Sequence, residues 1–255
     1  MARIIAGMLS LLFAGLVASQ GQALELSFPD EPGLEAVTVH WGERDVPFAH
    51  RGAHWLTVVG VDLDAKAGEL DAPVTVEAHA YPTTRLSVAD RYVELSPEDQ
   101  ARANGEAKEI ADIYATLTPA AFWDEAFEAP IPGAKNGRNF GHRRVFNGQP
   151  RAPHSGADLT AATGTPIHAA NAGRVVLAKN LFFSGNAVFI DHGMGLYTTY
   201  LHLSRIDVHP GQAVTRGEVI GLSGATGRVT GPHLHWGVRI LDARVDPFSL
   251  LRLSP

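Results

Sequence analysis

Only one stretch of this chain, from Ser96 to Leu117, carries apolar residues at helical spacing, which leaves strands and turns for most of the rest. Ser96 stands at an N-cap position, Pro97 fits the first helical position, and Glu98 and Asp99 place acids in the first turn. Ala103, Ala107, Ile110, Ile113, Tyr114 and Leu117 then recur at helical intervals, and Thr118-Pro119 should end the run, because a residue before proline is pushed out of the helical region. Upstream, short alternating apolar stretches at 36–41, 55–61, 74–81 and 92–95 are separated by turn formers such as Pro29-Asp30-Glu31-Pro32-Gly33. Downstream, stretches at 173–179, 187–191, 196–203, 218–222 and 233–240 alternate with glycines. The chain therefore reads as mainly β. A small antiparallel β-sandwich-like domain spans 24–96 and a helix 97–118. A linker rich in Pro, Gly and Asn covers 119–142, and a compact antiparallel β-sheet domain covers 143–255.

The N-terminus looks like an address label. Arg3 precedes an apolar run over residues 4–17, shorter than the roughly 20 residues of a spanning helix, and Gly21-Gln22-Ala23 fits a small-x-small cleavage site. Residues 1–23 are thus expected to be a secretory signal peptide, which places the working part outside the cytoplasm, periplasmic in the first instance. No later apolar run has spanning length, so no stable membrane insertion is expected. A net charge of -6 without a basic run argues against nucleic acid as a partner. The lack of cysteine removes disulfides, thiolate zinc ligands and thiol nucleophiles.

Histidine is the remaining source of chemistry, and eight of the 12 (142, 154, 168, 192, 202, 209, 233 and 235) follow residue 140. Three local features stand out: His154-Ser155-Gly156-Ala157-Asp158, Tyr200-Leu201-His202-Leu203 and Gly231-Pro232-His233-Leu234-His235-Trp236. Residues two apart on a strand share a face, so His233 and His235 can converge while Leu234 packs the other way. His154 and Asp158, across a flexible glycine, can bring an imidazole and a carboxylate to the same point. Two histidines and one carboxylate make a three-ligand Zn²⁺ site with its fourth position open, the arrangement of catalytic sites. Spacing alone does not choose between His233 and His235. His50, His54, His79 and His142 have no sequence partner that suggests a role.

Taken together, the segment from Phe140 to Pro247 resembles the lysostaphin-type zinc metallopeptidases, the β-lytic metallopeptidase family, which cleave peptide bonds of bacterial peptidoglycan. The resemblance rests on the three motifs above with Gly164-Thr165-Pro166-Ile167-His168-Ala169-Ala170, Gly173-Arg174-Val175, Ile190-Asp191-His192-Gly193 and Gly221-Leu222-Ser223-Gly224-Ala225-Thr226-Gly227. It implies one Zn²⁺ per chain, held by His154, Asp158 and His235. It also implies that His202 and His233 flank the open coordination position as the catalytic histidines. Residues 194–200 and 224–231 are expected to wall the cleft.

The function that follows is hydrolysis of peptide cross-links, with peptidoglycan stem peptides as the partner and an unidentified regulatory protein as a further candidate. The alternative is a non-enzymatic wall-binding activator that keeps the fold. Cleavage between a D-Ala and a diaminopimelate side amine is favoured over cleavage of an oligoglycine bridge. The resemblance does not reach residues 24–130, where no catalytic cluster is visible, and a positioning or gating role is expected for them.

Overall fold

The structure, a computed structural model, describes residues 16–253 except 33, 70–73, 135–136 and 138. Among the described residues nine strands precede the main helix: β1 (Leu16–Ser19), β2 (Ala23–Pro29), β3 (Thr38–Trp41), β4 (Arg44–Pro47), β5 (Ala49–Arg51), β6 (His54–Gly60), β7 (Gly68–Glu69), β8 (Val74–Glu77) and β9 (Thr83–Leu86). They form the sheets β2-β6-β5, β3-β4 and β1-β8-β7, while β9 joins a sheet with the two strands that follow the helix. The pairs formed within 24–96 are antiparallel, as expected, and the two parallel pairs reach outside that span, β1 running beside β8 and β9 beside β10 (Arg143–Phe146). The apolar stretch at 92–95 is not a strand; a 3₁₀ turn at Asp90–Tyr92 buries Tyr92 instead.

Helix α1 (Pro97–Ala115) begins as its sequence dictates, with the Ser96 hydroxyl accepting from the Asp99 N–H at 3.1 Å. It ends at Ala115 with Thr116 already extended, slightly before the expected stop. Ile110, Ile113 and Tyr114 pack on Leu177, Leu181, Ala187 and Phe189, with Tyr114 stacked on Phe189 at 6.0 Å. Full burial of such side chains contributes about 1.5–3 kcal/mol each, and their partial burial here, a fraction of that, fixes the helix on the outer face of the large sheet.

That sheet is built from β12 (Gly156–Thr160), β14 (Gly173–Leu181), β15 (Gly185–Asp191), β16 (Leu196–Leu203), β18 (Ala213–Val214), β20 (His233–Ile240) and β21 (Ala243–Val245). Its order is β12-β20-β16-β15-β14-β18, with β21 on β20. The remaining strands are β11 (Gln149–Arg151), paired with β10, and β13 (Pro166–His168), β17 (Arg205–Ile206) and β19 (Val219–Leu222), which form the sheet β13-β19-β17. A short helix, α2 (Pro247–Leu250), is capped by Asp246.

The interior does not divide at residue 143. Trp55, Val58 and Val59 belong to one continuous apolar cluster with Val238, Ile240 and Val245. A Cβ at Gly60 would meet Ala243 Cβ and Val245 Cγ1 at 2.8 Å, so β6 lies directly against β20 and β21. Arg244 closes the junction by donating to both oxygens of Asp62, at 2.9 and 2.6 Å. The stretch read as a linker is likewise packed rather than free: Trp123 and Phe127 are buried, Glu128 N–H donates to Ala170 O and His168 N–H to Pro130 O. Residues 1–15 lie outside the described chain, but Ala18 and Ala23 are buried in the core. The leader expected over residues 1–23 therefore overlaps the fold from Leu16 onward, since loss of these residues would strip β1 from β8.

Candidate metal centre

β12 and β20 run antiparallel with Asp158 directly opposite His235 and Thr160 opposite His233. Opposed residues on one sheet face have Cβ atoms about 4.5–5.5 Å apart, so the ladder itself delivers a carboxylate and an imidazole to one point. His154 arrives from the loop before β12. Its backbone is tied on both sides, His154 N–H donating to His142 O and His154 O accepting from Gly141 N–H, while Arg144 donates to Ala152 O and Pro153 O. His154 Nε2 lies 2.9 Å from His235 Nδ1, and each stands 3.2 Å from Asp158 Oδ1. Among the described residues this trio is the one cluster of His, Asp or Glu donor atoms within 4.8 Å of one another.

The next hydrogen bonds outward fix which nitrogen faces the centre. His154 Nδ1 stands 3.0 Å from the Asn139 carbonyl, so it carries the proton and leaves the Nε2 lone pair inward. Asn139 also donates from Nδ2 to Asp158 Oδ2 at 3.2 Å. Three lone-pair donors thus converge on one buried spot, an arrangement satisfied by a shared proton or by a cation. Two imidazoles and a carboxylate are a donor set suited to Zn²⁺. Burial opposes ionisation of Asp158, yet its close contacts with the His154 and His235 rings hold its carboxyl well below the usual range. Burial pushes His235 down to about 4, only partly offset by its hydrogen bond to Asp158.

His202 and His233 sit beside this trio, with ring centroids 5.0 Å apart. His233 Nδ1 is 2.9 Å from Gly231 O, and His233 Nε2 is 3.6 Å from Asp158 Oδ1. His202 Nδ1 is 2.9 Å from Thr226 O, which leaves Nε2 as its free ring nitrogen. Burial, with His235 and His233 alongside, pushes His202 down to about 3. His202 also has φ +67, a left-handed conformation that costs a non-glycine residue about 1–2 kcal/mol and is held here by its N–H bond to Ser184 O.

The structure therefore brings together all five histidine and aspartate residues singled out in the sequence, and His235 rather than His233 completes the tight trio. A cavity of about 210 Å³ opens over them. Of the two loops expected to wall it, 228–230 do so and 194–200 do not, because β16 is the middle of the sheet and its start is buried at the far end from His202. Thr84, Leu86 and Val88, from the N-terminal part, and Asn139, Arg144, Phe146 and Arg228 line it as well. His142, given no role from sequence, is 2.7 Å from Thr84 Oγ1 at the rim. His50 instead pairs with Asp30 at the surface, and His79 packs at a tilt against Tyr81.

Comparison with known proteins agrees with this geometry. Residues 152–247 match Peptidase family M23. The chain is 52% identical over 99 residues to the peptidoglycan DD-endopeptidase ShyA of Vibrio cholerae, which covers 38% of this chain and 23% of that protein. It is 43% identical over 102 residues to the DD-carboxypeptidase/endopeptidase Mpg of Neisseria meningitidis, covering 40% and 24%. The chain thus spans about a quarter of the length of these relatives. A crystal structure of a Pseudomonas aeruginosa protein described as a family M23 peptidase superposes over 96% of this chain and 99% of its own, with TM-score 0.71 and 31% identity. Since that likeness runs nearly end to end and includes the segment that carries the trio, the chain belongs to peptidase family M23.

Proposed function

We propose that this chain is an exported zinc-dependent endopeptidase that hydrolyses the peptide cross-links of bacterial peptidoglycan. The observation that carries the proposal is the convergence of His154 Nε2, Asp158 Oδ1 and His235 Nδ1 beneath an open cavity flanked by His202 and His233. His154, Asp158 and His235 would hold the metal. When bound, zinc polarises the scissile carbonyl and activates water for attack. His202 and His233, each with Nδ1 held by a backbone carbonyl, keep Nε2 for the reaction, where one would take a proton from the water and pass that proton to the leaving amine while the other orients the reacting groups. Their fixed rings need no reorganisation as charge develops.

The relatives named DD-endopeptidases support a cross-linked stem peptide as substrate, between a D-Ala carbonyl and a diaminopimelate side amine. The apolar run at residues 4–17 behind Arg3 supports export to the compartment where that polymer lies. Purified sacculi incubated with the zinc-loaded chain should lose cross-linked dimers and gain monomers by mass spectrometry. Cleavage of oligoglycine with intact stem dimers would overturn the substrate, and no cleavage of either would overturn the activity.

A further inference from the structure

Arg228 is a cation of the cleft with no counter-ion among the described residues. Its guanidinium carbon lies 4.3 Å from the Phe183 ring centroid and 4.7 Å from that of Phe146, so two aromatic faces from different elements hold it in place. Among the described residues no carboxylate or carbonyl oxygen pairs with that guanidinium, and the only acid lining the cavity, Asp158, is engaged by His154 and His235. The loop that carries it is rigid. Arg228 N–H donates to Phe183 O at 2.8 Å, and at Gly227 (φ +78) a Cβ would strike Gly185 N at 2.3 Å, so the two turns are locked together. The same loop supplies Thr226 O to His202, which ties the placement of Arg228 to that of the reaction centre.

The surrounding field is positive. Arg144 also lines the cavity, with two of its donors spent on Ala152 O and Pro153 O and, among the described residues, none on an acid. Burial, with the like charges of Arg144 and Arg151, pushes Arg228 down to about 10, so the site is improved by an incoming anion.

We propose that Arg228 forms a carboxylate-binding subsite that selects peptides carrying a free carboxylate beside the scissile bond, which rests on the assignment of the cleft to peptide hydrolysis. Stem peptides offer such groups, whereas a neutral oligoglycine offers none within its chain. Arg suits the task because its planar donors meet a carboxylate in two parallel bonds while its face stays on the aromatic rings.

The test uses the zinc-loaded full chain and two synthetic cross-linked stem dimers, identical except that one has its free carboxylates converted to carboxamides. Both kcat/KM and calorimetric Kd are measured for wild type, Arg228→Gln and Arg228→Lys, with zinc content checked for each. A hydrogen bond to a charged group is worth roughly tenfold to a hundredfold in affinity, so wild type should prefer the carboxylate dimer by that factor, mostly through KM. Arg228→Gln should bring the ratio of the two dimers close to one, and Arg228→Lys should recover part of it. An undiminished preference in Arg228→Gln, an equal loss on both dimers, or wild-type binding that ignores the carboxylates would overturn the subsite. Binding that prefers the carboxylate dimer without any turnover would leave the subsite standing and overturn the hydrolase assignment instead.

Discussion

Gly156 stands between the two ligands of the His154/Asp158 pair, and replacing it with alanine should damage the metal centre although it removes no ligand. A Cβ at this position would lie 2.5 Å from His235 Nε2 and 2.5 Å from Trp236 O. Restoring an ordinary contact of 3.4 Å requires about 0.9 Å of movement. Neither obstacle yields easily: Trp236 O belongs to the backbone of β20, and the His235 ring is pinned by His154 and Asp158. Metal–ligand distances tolerate about 0.2 Å, so a displacement several times larger takes His235 out of bonding range. Gly156→Ala should lose zinc affinity by about 100-fold or more and stability by about 1–3 kcal/mol, the usual cost of overpacking. Competition against a chromophoric chelator gives the affinity, and urea unfolding the stability. Gly105→Ala is the control, since a Cβ there meets nothing within 4 Å and should stabilise α1 by about 0.5–1 kcal/mol. Unchanged zinc affinity in Gly156→Ala would refute the close approach of β12 to the His235 ring.

Three further outcomes follow from the same geometry. His202→Ala and His233→Ala should each retain one zinc and the fold yet lose hydrolysis by about 10²-fold or more; near-normal turnover in both would remove them from the chemistry. His192, fully buried between Ala172 O and Thr198 Oγ1, is pushed down to about 4 by burial. Because its folded pKa lies below the unfolded value near 6.5, its contribution is complete above pH 6.5 and is lost as pH falls toward 4, up to about 3 kcal/mol. Urea unfolding of wild type and His192→Asn across that window should show a shallower slope in the variant, and parallel slopes would contradict it. Finally, a chain starting at Pro132 removes β6 from β20 and β21 and exposes the shared core, so it should unfold at markedly lower urea than the whole chain; an equally stable truncation would show that the two parts fold separately.

Much of the peptidase half was legible because its signals are local. The strands 196–203 and 233–240 were bounded by glycine and proline and came out with the expected limits. The shared face of His233 and His235 followed from strand alternation. What the sequence did not carry was pairing across long separations. The choice of His235 depends on its register with Asp158, 77 residues away, and neither residue encodes that register locally. Asn139 and Thr84 were missed for the same reason: one lay in a stretch that reads as linker, the other in a strand whose partner, β10, is far along the chain. At the N-terminus two signals coincide, since small and apolar residues that suit a leader also suit half-buried strands, and Leu16–Ser19 satisfies both descriptions.

The most direct test of the central claim is a zinc titration of the chelator-treated chain, with release of monomers from purified sacculi as the readout. Activity should rise in proportion to added zinc and level off at one equivalent per chain, while Asp158→Asn and His235→Ala stay flat over the same range. Full activity before any zinc is added, or a His235→Ala protein that binds one equivalent and cleaves sacculi like wild type, would contradict it.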